Sequence, residues 1–341
     1  MATGTGINPS VAVLASTLNS IVLKHIEPTV FDQVMKATPV FYRFWKKGQV
    51  IDGGASLMWP VMTSAKQYGG WYVGAQQMMR GPEDIIQPAE VEWKHVYEDI
   101  TIPYTDVLRA SSSHAVVNLV RTLFDAGIMN LRGRISRALF NKTTASETPS
   151  LALDHFFKAV DAGGTATNSR DGYQVAGFSD YAGISHSYVY WQGQVLDKYS
   201  SGSETAVTLG ELQTLYGQCS DGNEMPTLGI FTQAGFNFLW SSLQAQQRWM
   251  GDDEMARAGF MALKFNNASI VVDNNMPAGC GLFINENWVD LVSHAGDNFV
   301  IDPITFSSPT ERTMNTKICW SGNLRVKILK FNGKLIRASN F

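Results

Sequence analysis

Residues 52–102 read DGGASLMWPVMTSAKQYGGWYVGAQQMMRGPEDIIQPAEVEWKHVYEDITI, and this stretch decides the fold. Gly53-Gly54 opens an extended segment from Ala55 to Met62. A tip follows, carrying Gly69-Gly70-Trp71-Tyr72-Val73-Gly74 and Gly81-Pro82. The chain returns as a second extended segment, Ala89 to Ile102. There Val91, Trp93, His95 and Tyr97 alternate with Glu90, Glu92, Lys94 and Val96, the period of a strand. The pattern predicts a two-stranded arm of about 50 residues with no helix to pack on. Such a ribbon is marginal in water by itself, and its open edges invite another chain. Trp59, Trp71 and Trp93 all fall in it. Aromatic side chains are enriched at protein interfaces, so an interface is one reading; packing on the body of the same chain is the other.

On the N-terminal side, Val11, Leu14, Leu18, Ile21 and Val22 give an amphipathic helix over Pro9 to His25. Pro28 and Pro39 limit further helix, and Ala37 to Trp45 reads as an apolar arm ending in Val40-Phe41-Tyr42-Arg43-Phe44-Trp45. On the C-terminal side, Ser111-Ser112-Ser113 offers N-caps. Val116, Val120, Leu123, Ile128, Leu131, Ile135 and Leu139 then keep one stripe of a long helix, His114 to Phe140. Gly127 and Gly133 weaken it, while Arg132, Arg134 and Arg137 suit its C-terminal dipole. Residues 141–203 read as loops with short strands. Thr208-Leu209-Gly210-Glu211 is a capping box opening a helix to Cys219. Thr227 to Phe231 is a buried strand, and Thr232 caps a helix with Phe236, Leu239, Trp240 and Leu243 on one face. Strands follow over Ser269 to Asp273, Gly281 to Asn285 and Trp288 to Val292. Leu324 to Phe331 and Lys334 to Arg337 read as a hairpin turning at Asn332-Gly333.

The 341 residues carry a net charge of −3, and only 17% are charged. About 25% is usual, so some surface is expected to be covered by other chains. With 45% hydrophobic residues the chain is not disordered, and its slight acidity does not suit a dedicated nucleic-acid reader. No apolar run is long enough to cross a membrane, and Met1 to Ser10 lacks a signal-peptide pattern. Cys219, Cys280 and Cys319 are widely spaced, which favours neither a disulfide framework nor a zinc site and suits a reducing cytosol. No phosphate-binding loop, GxGxxG or HExxH occurs, so no cofactor and no metal is expected. The sharpest catalytic set is Asp154, His155 and Asp171 with Ser185 near His186; loop polar residues are the plainer reading. The acidic run 251–254 could hold a hard cation or be a solvated loop. Arg325, Lys327, Lys330, Lys334 and Arg337 could face nucleic-acid phosphates or form an exposed strand face.

The order of parts resembles a tailed-bacteriophage major capsid protein of the Hong Kong 97 type. The matching stretches are Thr38-Pro39-Val40-Phe41, Val50-Ile51-Asp52-Gly53-Gly54, Gly69-Gly70-Trp71-Tyr72, Val91-Glu92-Trp93-Lys94 and the long helix. Tyr181-Ala182-Gly183-Ile184, Pro226 to Phe231 and Gly322-Asn323-Leu324 complete them. The resemblance implies an α+β fold in five parts: an N-terminal arm (1–48), an extended loop (49–104), a peripheral domain with a spine helix at 114–140 (105–220), an axial domain (221–315) and return strands of the peripheral domain (316–341). It implies a structural shell protein, not an enzyme, assembling as pentamers and hexamers around double-stranded DNA held non-specifically. Portal, scaffolding and decoration proteins would be its partners, and virion and host bacterial cytoplasm its places. The arm starts within the first ten residues, so a separate scaffold, or none, is expected. The implied contacts between subunits are Phe41, Trp45, Trp59, Lys66, Trp71, Tyr72, Arg80 and Trp93. Alternatives are an encapsulin-like compartment shell, a phage decoration or tail module, and a hydrolase using Asp154 and His155.

Overall fold

The computed structural model describes residues 39–65, 69–78, 81, 84–105, 113–142, 151–163, 168–200, 202–243, 263–308 and 311–341. The helix expected over Pro9 to His25 lies outside them, as do Ser111 and Ser112, Lys66, Arg80 and the acidic run 251–254. In chain order the elements are α1 (Pro39–Lys47), β1 (Gln49–Ile51), β2 (Ser56–Met62), β3 (Ile86–Glu92), β4 (Lys94–Pro103), α2 (Ser113–Ala138) and α3 (Phe156–Ala159). Short strands follow: β5 (Asn168–Arg170), β6 (Tyr173–Ala176), β7 (Asp180–Tyr181), β8 (Ile184–Ser185), β9 (Gln194–Asp197), β10 (Tyr199–Ser200) and β11 (Ser203–Glu204). The chain continues through α4 (Leu209–Gln218), β12 (Leu228–Phe231), α5 (Gln233–Leu243), β13 (Leu263–Phe265), β14 (Ala268–Val272) and β15 (Gly281–Ile284). It closes with β16 (Val289–Ile301), β17 (Thr305–Ser308), β18 (Glu311–Val326) and β19 (Gly333–Ile336).

Pro39 starts α1 instead of limiting helix, which corrects that expectation. At the first helical position its missing N–H has no intrahelical acceptor, and its ring presets φ. Val40, Phe41 and Phe44 are buried within the chain's own core.

The first sheet runs β1-β16-β18-β17, with β4 also paired to β18. The long helix α2 packs on it through Val120, Phe124, Ile128, Leu131 and Ile135, a three- and four-residue spacing. Gly127 faces the sheet, where a Cβ would stand 3.0 Å from Ile100 Cδ1. The residue that weakens the helix locally is what lets it lie close.

The ribbon is shorter than expected. β2 pairs antiparallel with β3, from Ser56 against Glu92 to Met62 against Ile86. The returning segment breaks at Trp93, and β4 joins the first sheet against residues 313–322. Leu57, Val61, Ala89 and Val91 are buried, and Glu90 N–H donates to Ala182 O at 2.9 Å. The base of the ribbon is therefore packed on the chain's own core, while Trp71, Tyr72 and Val73 are exposed.

The second sheet runs β13-β14-β12-β15-β19-β9. Its strands alternate between two cores. Leu228, Ile230, Leu282, Ile284 and Ile336 face the core shared with α2, whereas Phe231, Phe283 and Leu335 face α4 and α5. Burial on both faces makes these strands read as unbroken apolar runs. Thr208 and Glu211 form the full capping box of α4. Thr232 Oγ1 accepts the Gly235 N–H at the start of α5.

The hairpin expected at Asn332-Gly333 does not form. The chain turns there, with Asn332 N–H on Leu329 O at 2.9 Å and its side-chain amide on Ile328 O at 2.8 Å. That turn moves the chain to the other sheet, where β19 sits between β15 and β9. All four β19 residues are buried, a demand that an outer hairpin strand would not meet. β18 runs unbroken from Glu311 to Val326, and α4 packs with the second sheet through Leu212, Leu215 and Tyr216.

A polar hub ties ribbon, loops and first sheet together. Tyr181 Oη donates to Leu324 O at 2.9 Å and accepts Val326 N–H at 3.0 Å. The Asn323 amide donates to Glu92 O at 2.8 Å and to Asp154 Oδ2 at 3.1 Å.

Candidate functional site

The expected catalytic residues are not assembled into a reactive set. His155 caps α3, its Nδ1 accepting the Lys158 N–H at 3.1 Å. Burial, then the Lys158 and Lys334 charges, lower its pKa to about 3, so it stays neutral. Asp154 bonds Lys158 and Asn323, and Asp171 accepts the Ala278 N–H. Ser185 bonds Ser187 and the Ser179 carbonyl, while His186 contacts the Trp191 and Lys158 carbonyls. None of the five bonds to another, so no base is aimed at a nucleophile. Cys219 and Cys280 are buried thiols whose pKa burial pushes up to about 12. The described residues hold no group of His, Cys, Asp or Glu suited to a metal ion.

Every member of the C-terminal basic set is ion-paired within the chain. Arg325 and Lys327 both pair with Asp290, Lys330 with Asp221, and Arg337 with Asp197. Lys334 is fully buried, 3.2 Å from Asp161 Oδ2, and donates to the Phe157 and Val175 carbonyls. Burial lowers its pKa to about 8 against the pull of Asp161. This is a set of internal ion pairs rather than a face for phosphates.

What remains is surface. Trp71 is fully exposed, with Tyr72 and Val73 beside it at the ribbon tip. Along the outer face of the ribbon, Met58, Met62 and Ile86 are each more than half exposed. Pro60 and Pro88 stand opposite each other between them. Tyr188, Val189 and Tyr190 add exposed apolar area, and Gln87 Nε2 donates to Tyr188 Oη at 3.3 Å. Exposed apolar side chains grouped on one face of a ribbon, as Met58, Met62 and Ile86 are, mark an interaction site.

The residues expected at subunit contacts separate into groups. Trp71 and Tyr72 are open to a partner. Phe41 is buried inside its own chain, which corrects that expectation. Trp45 stacks on Phe41 and meets Phe299 edge-on at 5.0 Å. Trp59 packs against the core, and Trp93 donates from its indole to Gly54 O at 3.0 Å. Lys66 and Arg80 lie outside the described residues. Met58, Met62 and Ile86 were missed, although an apolar residue at every second position of a strand whose other face is also apolar is a readable sign.

No family model matches the sequence, and no curated protein matches it. Solved structures do match. A chain of the cyanophage A-1(L) capsid asymmetric unit aligns with a TM-score of 0.65 at 12% identity, over 89% of this chain and 93% of that one. The capsid of a native GTA particle aligns at 0.55 and 10% identity, over 87% and 90%. A Mycobacterium phage Bobi chain aligns at 0.51 and 12% identity, over 86% and 89%. The fold is that of Hong Kong 97-type phage capsid proteins, as the sequence resemblance implied.

Proposed function

We propose that the chain is a shell-building subunit: copies assemble as pentamers and hexamers into a closed icosahedral particle around double-stranded DNA. The observation that carries this reading is the ribbon. Its base is anchored on the subunit, while Met58, Met62, Ile86, Trp71 and Val73 stay exposed. A second copy would cover that surface, and the same contact repeated by rotation closes into rings. The ion-paired basic set fits a lining that touches DNA without gripping it. In this reading the protein has no catalytic role and resides in the virion after assembly in the bacterial cytoplasm. Portal, scaffolding and decoration proteins are its further partners.

Negative-stain electron microscopy and sedimentation of the protein expressed alone, then with a scaffold protein from the same genome, test it. Shells, tubes or capsomer rings are the expected result. A monomer that persists under both conditions would overturn the reading.

A further inference from the structure

A cleft of about 580 Å³ lies where the ribbon meets the first sheet, lined by Gly54, Glu92, Trp93, His95, His294 and Asp297. A bulge in β16 shapes it. Ser293 faces Gly322 and Asn298 faces Trp320, so residues 294–297 stand opposite Ser321 alone. Bulges of this kind re-aim side chains.

The hydrogen bonds fix the chemistry of both imidazoles. The buried Ser321 hydroxyl donates to Asp297 Oδ2. Its oxygen is then free to accept from His95 Nδ1–H, 2.5 Å away. In the neutral form of the ring, His95 Nε2 is then the lone-pair acceptor, and the ring lines the cleft. His294 has the opposite tautomer, because its Nδ1 accepts the Gly296 N–H at 3.1 Å. Trp93 meets the His294 ring edge-on at 5.1 Å, adding an aromatic wall. The cleft thus presents the Asp297 and Glu92 carboxylates, the second already 3.3 Å from the Lys94 ammonium, together with one imidazole acceptor and an indole; no Lys or Arg is among the residues that line it. The described residues offer no metal-ligand group, and the volume suits an organic group.

We propose that this cleft binds an organic cation: the ammonium or guanidinium end of a Lys or Arg side chain, or of a free amine. Carboxylate and imidazole oxygen and nitrogen acceptors take the N–H donors, and Trp93 supplies a cation–π wall.

The test uses the isolated full-length chain with nitrogen-15-labelled histidine, titrated with arginine ethyl ester and, separately, putrescine. The expected result is a saturable shift of the His95 and His294 side-chain signals, with dissociation constants of roughly 1 mM. Asp297→Asn should weaken both ligands about tenfold. Glu92→Gln, an exposed change that cannot unfold the chain, should weaken them about twofold. Uncharged 1,4-butanediol should produce no saturable shift. Absence of saturable shifts, an equal response to the diol, or unchanged affinity in both variants would overturn the proposal.

The source of the cation is read in assembled particles by solid-state spectra, an arm that rests on the shell reading. A His95 signal at its cation-bound position without added amine assigns a neighbouring copy's side chain. A signal that moves only on adding putrescine assigns a free amine. Failure to form particles would count against the shell reading and leave the subunit titration standing.

Discussion

Asp273 sits just after β14, 3% exposed, where α2 meets the second sheet. Burial raises its pKa to about 6, against hydrogen bonds from Asn275 and the charges of Arg132 and Lys142. A carboxyl whose folded pKa lies above its unfolded value contributes stability below that unfolded value and loses it as pH rises through about 6. Asp273→Asn should therefore flatten the stability profile between about pH 4 and 7. Thermal unfolding across that range checks it, and an unchanged slope would count against the buried-carboxylate account. Arg43 and Glu286 give a prediction of the other kind. Arg43 Nη2 donates to Glu286 Oε2 at 2.8 Å, and the glutamate side chain is 1% exposed. Arg43→Ala leaves that charge with Lys47 at 3.7 Å and the Thr227 hydroxyl, and should cost about 3 kcal/mol in chemical denaturation. A loss below about 1 kcal/mol would show the pair to be no more than a surface contact. Neither residue stood out in the sequence. Asp273 ended a strand run and Arg43 sat in an aromatic segment, and burial of a charge is a property of distant neighbours.

At the scale of elements, the sequence was legible where one stretch decides its own conformation. α2 follows from its stripe, although Phe124 fills the core position expected of Leu123, which is only partly buried. The α4 capping box was readable because both partners lie three residues apart. Pairing was harder. Asn332-Gly333 is a true turn, yet only the competing partners β15 and β9 decide which sheet receives β19. The split at Trp93 was hidden because alternation continues through it; the indole bond to Gly54 and the β4 register on β18 make the break. Of the candidate surface, the tip aromatics were legible. The cleft was not, since its residues come from positions 54, 55, 92, 93, 95, 294, 296, 297 and 321. The ribbon makes its own prediction. Deleting 65–84 should leave a folded, soluble subunit that no longer closes shells. Circular dichroism and electron microscopy check this together, and normal particles would sink the role of the tip. Trp71→Ala should change monomer stability by less than about 0.5 kcal/mol while lowering particle yield, because the side chain is fully exposed in the subunit. Equal losses in both would point to an internal role.

As a whole molecule, the described chain has two large sheets sharing one core, a second core under α4 and α5, three further two-stranded pairs, and the β2–β3 ribbon packed on the shared core at its base. The chain enters the first sheet early, builds most of the second, returns through β16 to β18, and crosses back at 327–332. Its low charge, 17%, agrees with a surface partly reserved for contact. The position of β19 between β15 and β9 has a consequence for biosynthesis. A ribosome makes the ribbon and the strands flanking that gap before it makes the strand that fills it. During that interval the nascent chain presents two unsealed strand edges beside a finished sticky arm, the combination most prone to wrong pairing between neighbours on one messenger. Synthesis order thus sets a window in which a holding chaperone has most to protect, and it closes when residues 333–336 emerge and dock.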